Sequence, residues 1–206
     1  MTWGWHFIGE DMRLDYNDGA LVVPGETLVV EGELDLCRWG LHASAKPLDA
    51  FSFAREKPIA CRVRLGGDII HGTDKLVASE RTCVWMLTKG QTDRVLHEFA
   101  RWCAKSVIHL VADEHRAVCQ RAIDAKRGWL CGDVSDSDLD AARDAAWGAA
   151  RDTAWAAAWG AARGASWDAA RDAAWGAARG ASWDAAWDDQ DRQFAKMLKA
   201  AHRRQS

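Results

Sequence analysis

The stretch "TCVWMLTKGQTDRVLHEFARWC", Thr82 to Cys103, holds the change of period that decides the fold. Before it the chain runs in short alternating or β-rich segments, at Trp3 to Ile8, Leu21 to Val23, Thr27 to Val30, Ile59 to Leu65 and Thr82 to Leu87. Between them stand Gly, Asp and Asn in "YNDG", "PGE", "LGGD" and "HGTD", the residues that end strands and make turns. After "TKGQT" the apolar positions Val95, Phe99, Trp102, Cys103, Val107 and Leu110 recur at three- and four-residue steps, the spacing of one face of an α-helix. A period of two followed by a period of about 3.6 gives an α+β chain: a small mixed N-terminal sheet, then helices.

Within the sheet region one helix is expected at "SAKPLDAFSFA". Ser44 can act as N-cap, and Pro47 sits inside the first turn, where its missing N–H is no loss. Leu48, Phe51 and Phe53 should then face the sheet. "RLGGD" reads as a two-residue hairpin turn; no Lys-Ser/Thr follows it, so it does not read as a phosphate loop.

The helical half continues from about Asp113 to Leu130 and stops at "CGD", where Gly132 suits a left-handed cap. The next start is well marked: Ser135 and Asp138 have the spacing of a capping box, and Val134 and Leu139 that of a hydrophobic staple. Beyond it a four-residue unit, [Asp/Gly]-Ala-Ala-[Arg/Trp], keeps phase from Asp140 to Trp187. Three segments result: a sheet domain over 1–90, a helical segment over 91–132, and a long Ala/Trp/Arg helix over 133–206, which can kink or fold back at its glycines. Unbroken from Asp136 to Lys199, such a helix would be on the order of 95 Å long.

Residues four apart touch on a helix, so the last position of each unit forms a winding column. It carries Trp147, Trp155, Trp159, Trp167, Trp175, Trp183 and Trp187, interleaved with Arg151, Arg163, Arg171 and Arg179. Guanidinium over indole can brace a helix, but so much indole is more apolar surface than a monomer leaves in water. The column is therefore expected to be an interaction surface, for a second copy of the chain or for a host protein.

Composition narrows the partners. The 27 Lys and Arg against 30 Asp and Glu, a formal net charge of −3, provide no overall basic field, so nucleic acid is not expected. Six cysteines at wide intervals without a CxxC pair argue against zinc and against a disulfide scaffold, and for free thiols in the cytosol. "HLVADEH" sets its histidines six apart, on different helix faces, and no metal site is expected. No basic leader and no run of about 18 apolar residues appears, so neither secretion nor a membrane is expected.

Two segments carry a resemblance. "CRWGLHASAKPLDAFSF" (Cys37 to Phe53) and "VRLGGDIIHGTDKLVASERTCVWML" (Val63 to Leu87) resemble a family of phage and prophage proteins with a C-x-x-G-[LF]-H-[AS] motif before a short helix, a D-K-x-x-A-S motif before a strand, and often a C-terminal "AARDAAW" tract. That resemblance implies a viral or mobile-element setting and residence in the host cytosol, with no activity attached. A weaker one is to ADP-ribosyltransferases of the poly(ADP-ribose) polymerase type. It implies an NAD site with His6 on the first strand, His42 of "GLH" in the place of a tyrosine, and Glu80 near a late strand as catalytic residues. Their convergence in one cleft is the test of that enzyme.

The expected function is a non-catalytic, phage-type accessory protein acting through self-assembly or a host protein, counter-defence being one purpose such a setting offers, with no cofactor. The alternative is the NAD-binding, ADP-ribosyltransferase-like domain built on His6, His42 and Glu80.

Overall fold

The structure is a computed structural model that describes residues 2–15, 19–149 and 183–205; for 147–149 and 183–186 it describes the backbone alone. Strands β1 (Thr2–Ile8), β2 (Thr27–Val29) and β3 (Leu41–Ala43) precede helix α1 (Pro47–Ser52). The long strands β4 (Ile59–His71) and β5 (Leu76–Met86) follow, then α2 (Lys89–Val107), a 3-10 turn at Ile108–Leu110, α3 (Asp113–Cys131), α4 (Asp136–Ala149) and α5 (Trp183–Arg203). The chain is α+β, as its change of period requires.

Two compact units are present: residues 1–92 together with 194–206, and residues 93–193. In the first, five strands form one sheet in the order β1-β4-β5-β2, with β3 also on β5, and every pairing is antiparallel rather than mixed. The spine is the β4–β5 hairpin, closed by a four-residue turn in which Gly72 N–H donates to the Lys75 carbonyl at 2.8 Å. "RLGGD" is not that turn. Its glycines lie inside β4 at a register shift between Gly66 and Ile69, a bulge that bends a strand and increases its twist. Gly67 is required there: its φ is +63°, and a Cβ would stand 2.1 Å from Ser79 Oγ.

The bend curls the sheet until its ends meet. Trp5 N–H donates to the Ser44 carbonyl at 2.7 Å and Ser44 N–H to the Trp5 carbonyl at 2.9 Å, so the chain after β3 reaches β1. Ser44 is thus held in this bridge and does not cap α1, whose N-cap is Lys46 with Pro47 in the first turn. One face of the sheet carries an apolar cluster that includes Ile8, Cys61, Val63, Leu65 and Cys83. On the other, Phe7 meets Phe51 of α1 and Phe194 of α5 at centroid distances of 5.2 and 6.1 Å. Leu48 and Phe51 are buried as expected; α1 ends at Ser52, before Phe53, and that ring is 52% exposed.

The helical transition is fixed by a reciprocal cap in "TKGQ". Gln91 N–H donates to Thr88 Oγ1 at 3.3 Å, and Thr88 N–H donates to Gln91 Oε1 at 2.9 Å, which satisfies donors at a helix start from both sides. In the second unit α3 ends at Gly132 in the left-handed region. Ser135 then opens α4: its Oγ accepts from Asp138 N–H at 3.2 Å, while Val134 packs with Leu139. His97 meets the edge of the Trp129 ring at 4.9 Å, Lys126 Nζ lies 4.0 Å from its centroid, and Trp129 Nε1–H donates to Asp136 Oδ1 at 2.6 Å. Burial holds His97 down at about 3, helped by Lys126, and holds Lys126 down at about 8 against the pull of Asp136.

The sequence expects one helix through the Ala/Trp/Arg tract. Helices are described over Asp136–Ala149 and Trp183–Arg203, and residues 150–182 lie outside the described residues. So do the side chains of Trp147, Trp155, Trp159, Trp167, Trp175, Trp183, Arg151, Arg163, Arg171 and Arg179; Trp187 is half-buried on α5.

Candidate functional site

Where the curled sheet meets α1, a cavity of about 250 Å³ opens. Its innermost polar groups come from three strands: His6 on β1, His42 on β3 and Arg81 on β5. Each is placed by backbone pairing. His6 lies opposite Cys61, and His42 opposite Val77. Gly40, two residues before His42, turns the chain into β3 with φ +121°, and a Cβ on it would lie 2.3 Å from Val77 Cγ2. The glycine of the "CRWGLHAS" segment is therefore demanded by its conformation and by contact with β5.

Arg81 is 2% exposed. Its Nη1 donates to the His42 carbonyl, and its Nη2 is buried without a hydrogen-bond partner among the described residues. Burial lowers the guanidinium to about 10, opposed by the nearby Cys61 and Cys83, so it remains charged at neutral pH. Those two thiols interact: the hydrogen bond between them raises Cys61 and lowers Cys83. All six cysteines are free; Cys37 and Cys131 are exposed and the other four buried.

Both histidines are held in the neutral form. Burial, then the charge of Arg81, then His42 push His6 well below its ordinary value, and burial is also the largest cause for His42. His42 Nε2 lies 3.0 Å from the Leu36 carbonyl. A carbonyl only accepts, so that nitrogen carries the proton and ties the imidazole to the turn before β3.

The mouth is basic. Among the described residues Arg13, Arg55 and Lys75 line it against one carboxylate, Asp15, which pairs with Arg55. Lys75 Nζ also lies 5.0 Å from the centroid of the exposed Phe53 ring. A cavity of this size holds the equivalent of roughly eight waters, enough for a single-ring acid and small for a dinucleotide.

The structure thus brings His6 and His42 into one cleft and leaves Glu80 out of it. Glu80 is exposed, paired across strands with Val29 and Gly66, and does not line the cavity. Side chains alternate along β5, so Arg81 turns inward with Cys83 while Glu80 turns away. The expected convergence of His6, His42 and Glu80 fails for this reason, and Arg81 takes the third place. The signal for Arg81 was its parity with the buried Cys83.

Residues 3–94 match the family model described as Domain of unknown function (DUF7666). The match spans the sheet and the whole cavity and ends within α2. Comparison with curated proteins and with solved structures gave no match. No helix among the described residues is long and apolar enough to cross a membrane.

Proposed function

We propose that the DUF7666 region is a non-catalytic binding domain for a small anionic ligand, a phosphate monoester or carboxylate on a single ring, seated against His6, His42 and Arg81. The observation that carries this is the buried Arg81 guanidinium, whose Nη2 has no hydrogen-bond partner among the described residues. A buried charged donor left unpaired is costly, and an anion in the adjoining cavity would satisfy it. The basic mouth would draw such a ligand in, and the two neutral imidazoles could supply polar contacts without adding charge. Chemistry on NAD is disfavoured because Glu80 stands outside the cavity and the one carboxylate among its described lining residues, Asp15, is paired with Arg55 at the mouth.

Thermal unfolding with inorganic phosphate, phenyl phosphate, benzoate and NAD tests it. At tenfold the dissociation constant a ligand adds about 1.4 kcal/mol, or roughly 3 to 6 °C for a chain of this length. Phenyl phosphate or benzoate should raise the midpoint, and Arg81→Met should abolish the shift. A shift with NAD alone would restore the ADP-ribosyltransferase alternative; no shift with any of the four would remove the site.

We also propose that the Ala/Trp/Arg tract associates with a second copy or a host protein, in keeping with a phage-type accessory role. Its support is the density of tryptophan in the sequence. Replacing Trp167, Trp175 and Trp183 by Ala should lower the solution mass or unfold the chain; unchanged mass and helicity would leave the tract a self-braced spacer.

A further inference from the structure

On the first unit a second groove lies apart from the cavity, between β1, β4, β5 and the last turns of α5. Trp3, Arg62, Trp85, Lys199, His202 and Arg203 line it, and no carboxylate among the described residues does. Arg62 is set between two indoles, 5.3 Å from the Trp3 centroid and 4.5 Å from that of Trp5. His202 stacks on Trp85 at 4.5 Å with planes 7° apart. These contacts fix the Arg62 guanidinium and the His202 ring at the surface. Trp3 remains 48% exposed, and Lys199 and Arg203 are exposed with no ion pair among the described residues.

A basic last turn alone complements a helix dipole and needs no ligand. Here the sheet adds Arg62 and an open indole to the same groove. The net charge of −3 is an average over the chain, and this groove departs from it. Cations tracking a backbone beside an aromatic face on which a base can stack are the two parts of a sequence-tolerant single-strand site. We propose that this groove binds single-stranded nucleic acid, phosphates to Arg62, Lys199 and Arg203 and a base on Trp3. An acidic peptide would use the cations and leave the indole idle, which is why a nucleic acid fits better. The inference is independent of the ligand proposed for the His6–His42–Arg81 cavity.

The test uses the full chain and a fluorescent oligothymidylate, read by anisotropy across a salt series. Three phosphate contacts predict a log–log salt slope of about −2. Lys199→Glu with Arg203→Glu should weaken binding by about tenfold or more and flatten the slope, while the loss of the helix-dipole complement at the end of α5 lowers the melting midpoint by only a few degrees. Trp3→Ala should weaken it about fivefold or more, as loss of one stacked base does. His42→Ala should leave it unchanged. Absence of binding at low salt, indifference to both surface variants, or tighter binding of polyglutamate or phosphatidylserine vesicles than of the oligonucleotide would each overturn the proposal.

Discussion

Replacing Arg81 by Met should separate ligand binding from stability, and the size of each effect follows from the site. The guanidinium is almost wholly buried, with Nη1 bonded to the His42 carbonyl and Nη2 without a partner among the described residues. Its lowering from 12.5 to about 10, at 1.36 kcal/mol per unit, means that the folded chain carries the charge at a penalty of about 3 kcal/mol. At neutral pH the group is protonated in both folded and unfolded chains, so the penalty is present in full. Met keeps the apolar stem and removes the charge. Against that relief stands one charge-assisted hydrogen bond, worth about 1.5 to 3 kcal/mol. Arg81→Met should therefore be as stable as the parent or up to about 2 kcal/mol more stable in urea denaturation, while losing the stabilisation by phenyl phosphate or benzoate. A loss of more than about 2 kcal/mol would refute the reasoning, since it would make the guanidinium a strut of the fold rather than a charge awaiting an anion.

Three further outcomes can be checked. Gly40→Ala should cost about 3 kcal/mol in urea denaturation, combining a left-handed φ with a Cβ 2.3 Å from Val77 Cγ2. Ser135→Ala should cost about 1 kcal/mol by the same assay, because Asp138 N–H loses its acceptor. The second unit should respond to pH at both ends. His97 is lowered to about 3, so the unfolded chain takes up its proton first, and stability present above the ordinary histidine value of 6.5 is lost as pH falls toward 3. Lys126 is lowered from 10.5 to about 8, so stability should rise between pH 8 and 10.5. Chemical denaturation across pH should show both slopes, and Lys126→Met should remove the second.

Periodicity carried the fold class because strands and helices bury opposite patterns, and the switch at Thr88 to Thr92 is abrupt. Three errors share a cause: local signals that tertiary contact reinterprets. Two glycines at 66 and 67 look the same as a turn or as a bulge, and only the pairing of β4 with β5 decides between them. β3 has three residues, too few for alternation to register, and exists because β5 and the Ser44 bridge hold it. Ser44 had the composition of a cap and was recruited by Trp5 instead. The site was half legible. His6 stands in a strand-like segment and His42 in the "GLH" motif that carries the resemblance, whereas Arg81 reads as the charged neighbour of Glu80 although strand parity puts it on the buried side with Cys83.

The central claim, an anion held by His6, His42 and Arg81, is tested most directly by the imidazole nitrogen resonances of the seven histidines during titration with phenyl phosphate. The signals of His6 and His42 should move together and saturate, those of His71, His109 and His115 should stay in place, and none should move in the Arg81→Met protein. Static signals for His6 and His42 up to millimolar ligand, or equal movement in the Arg81→Met protein, would contradict the claim.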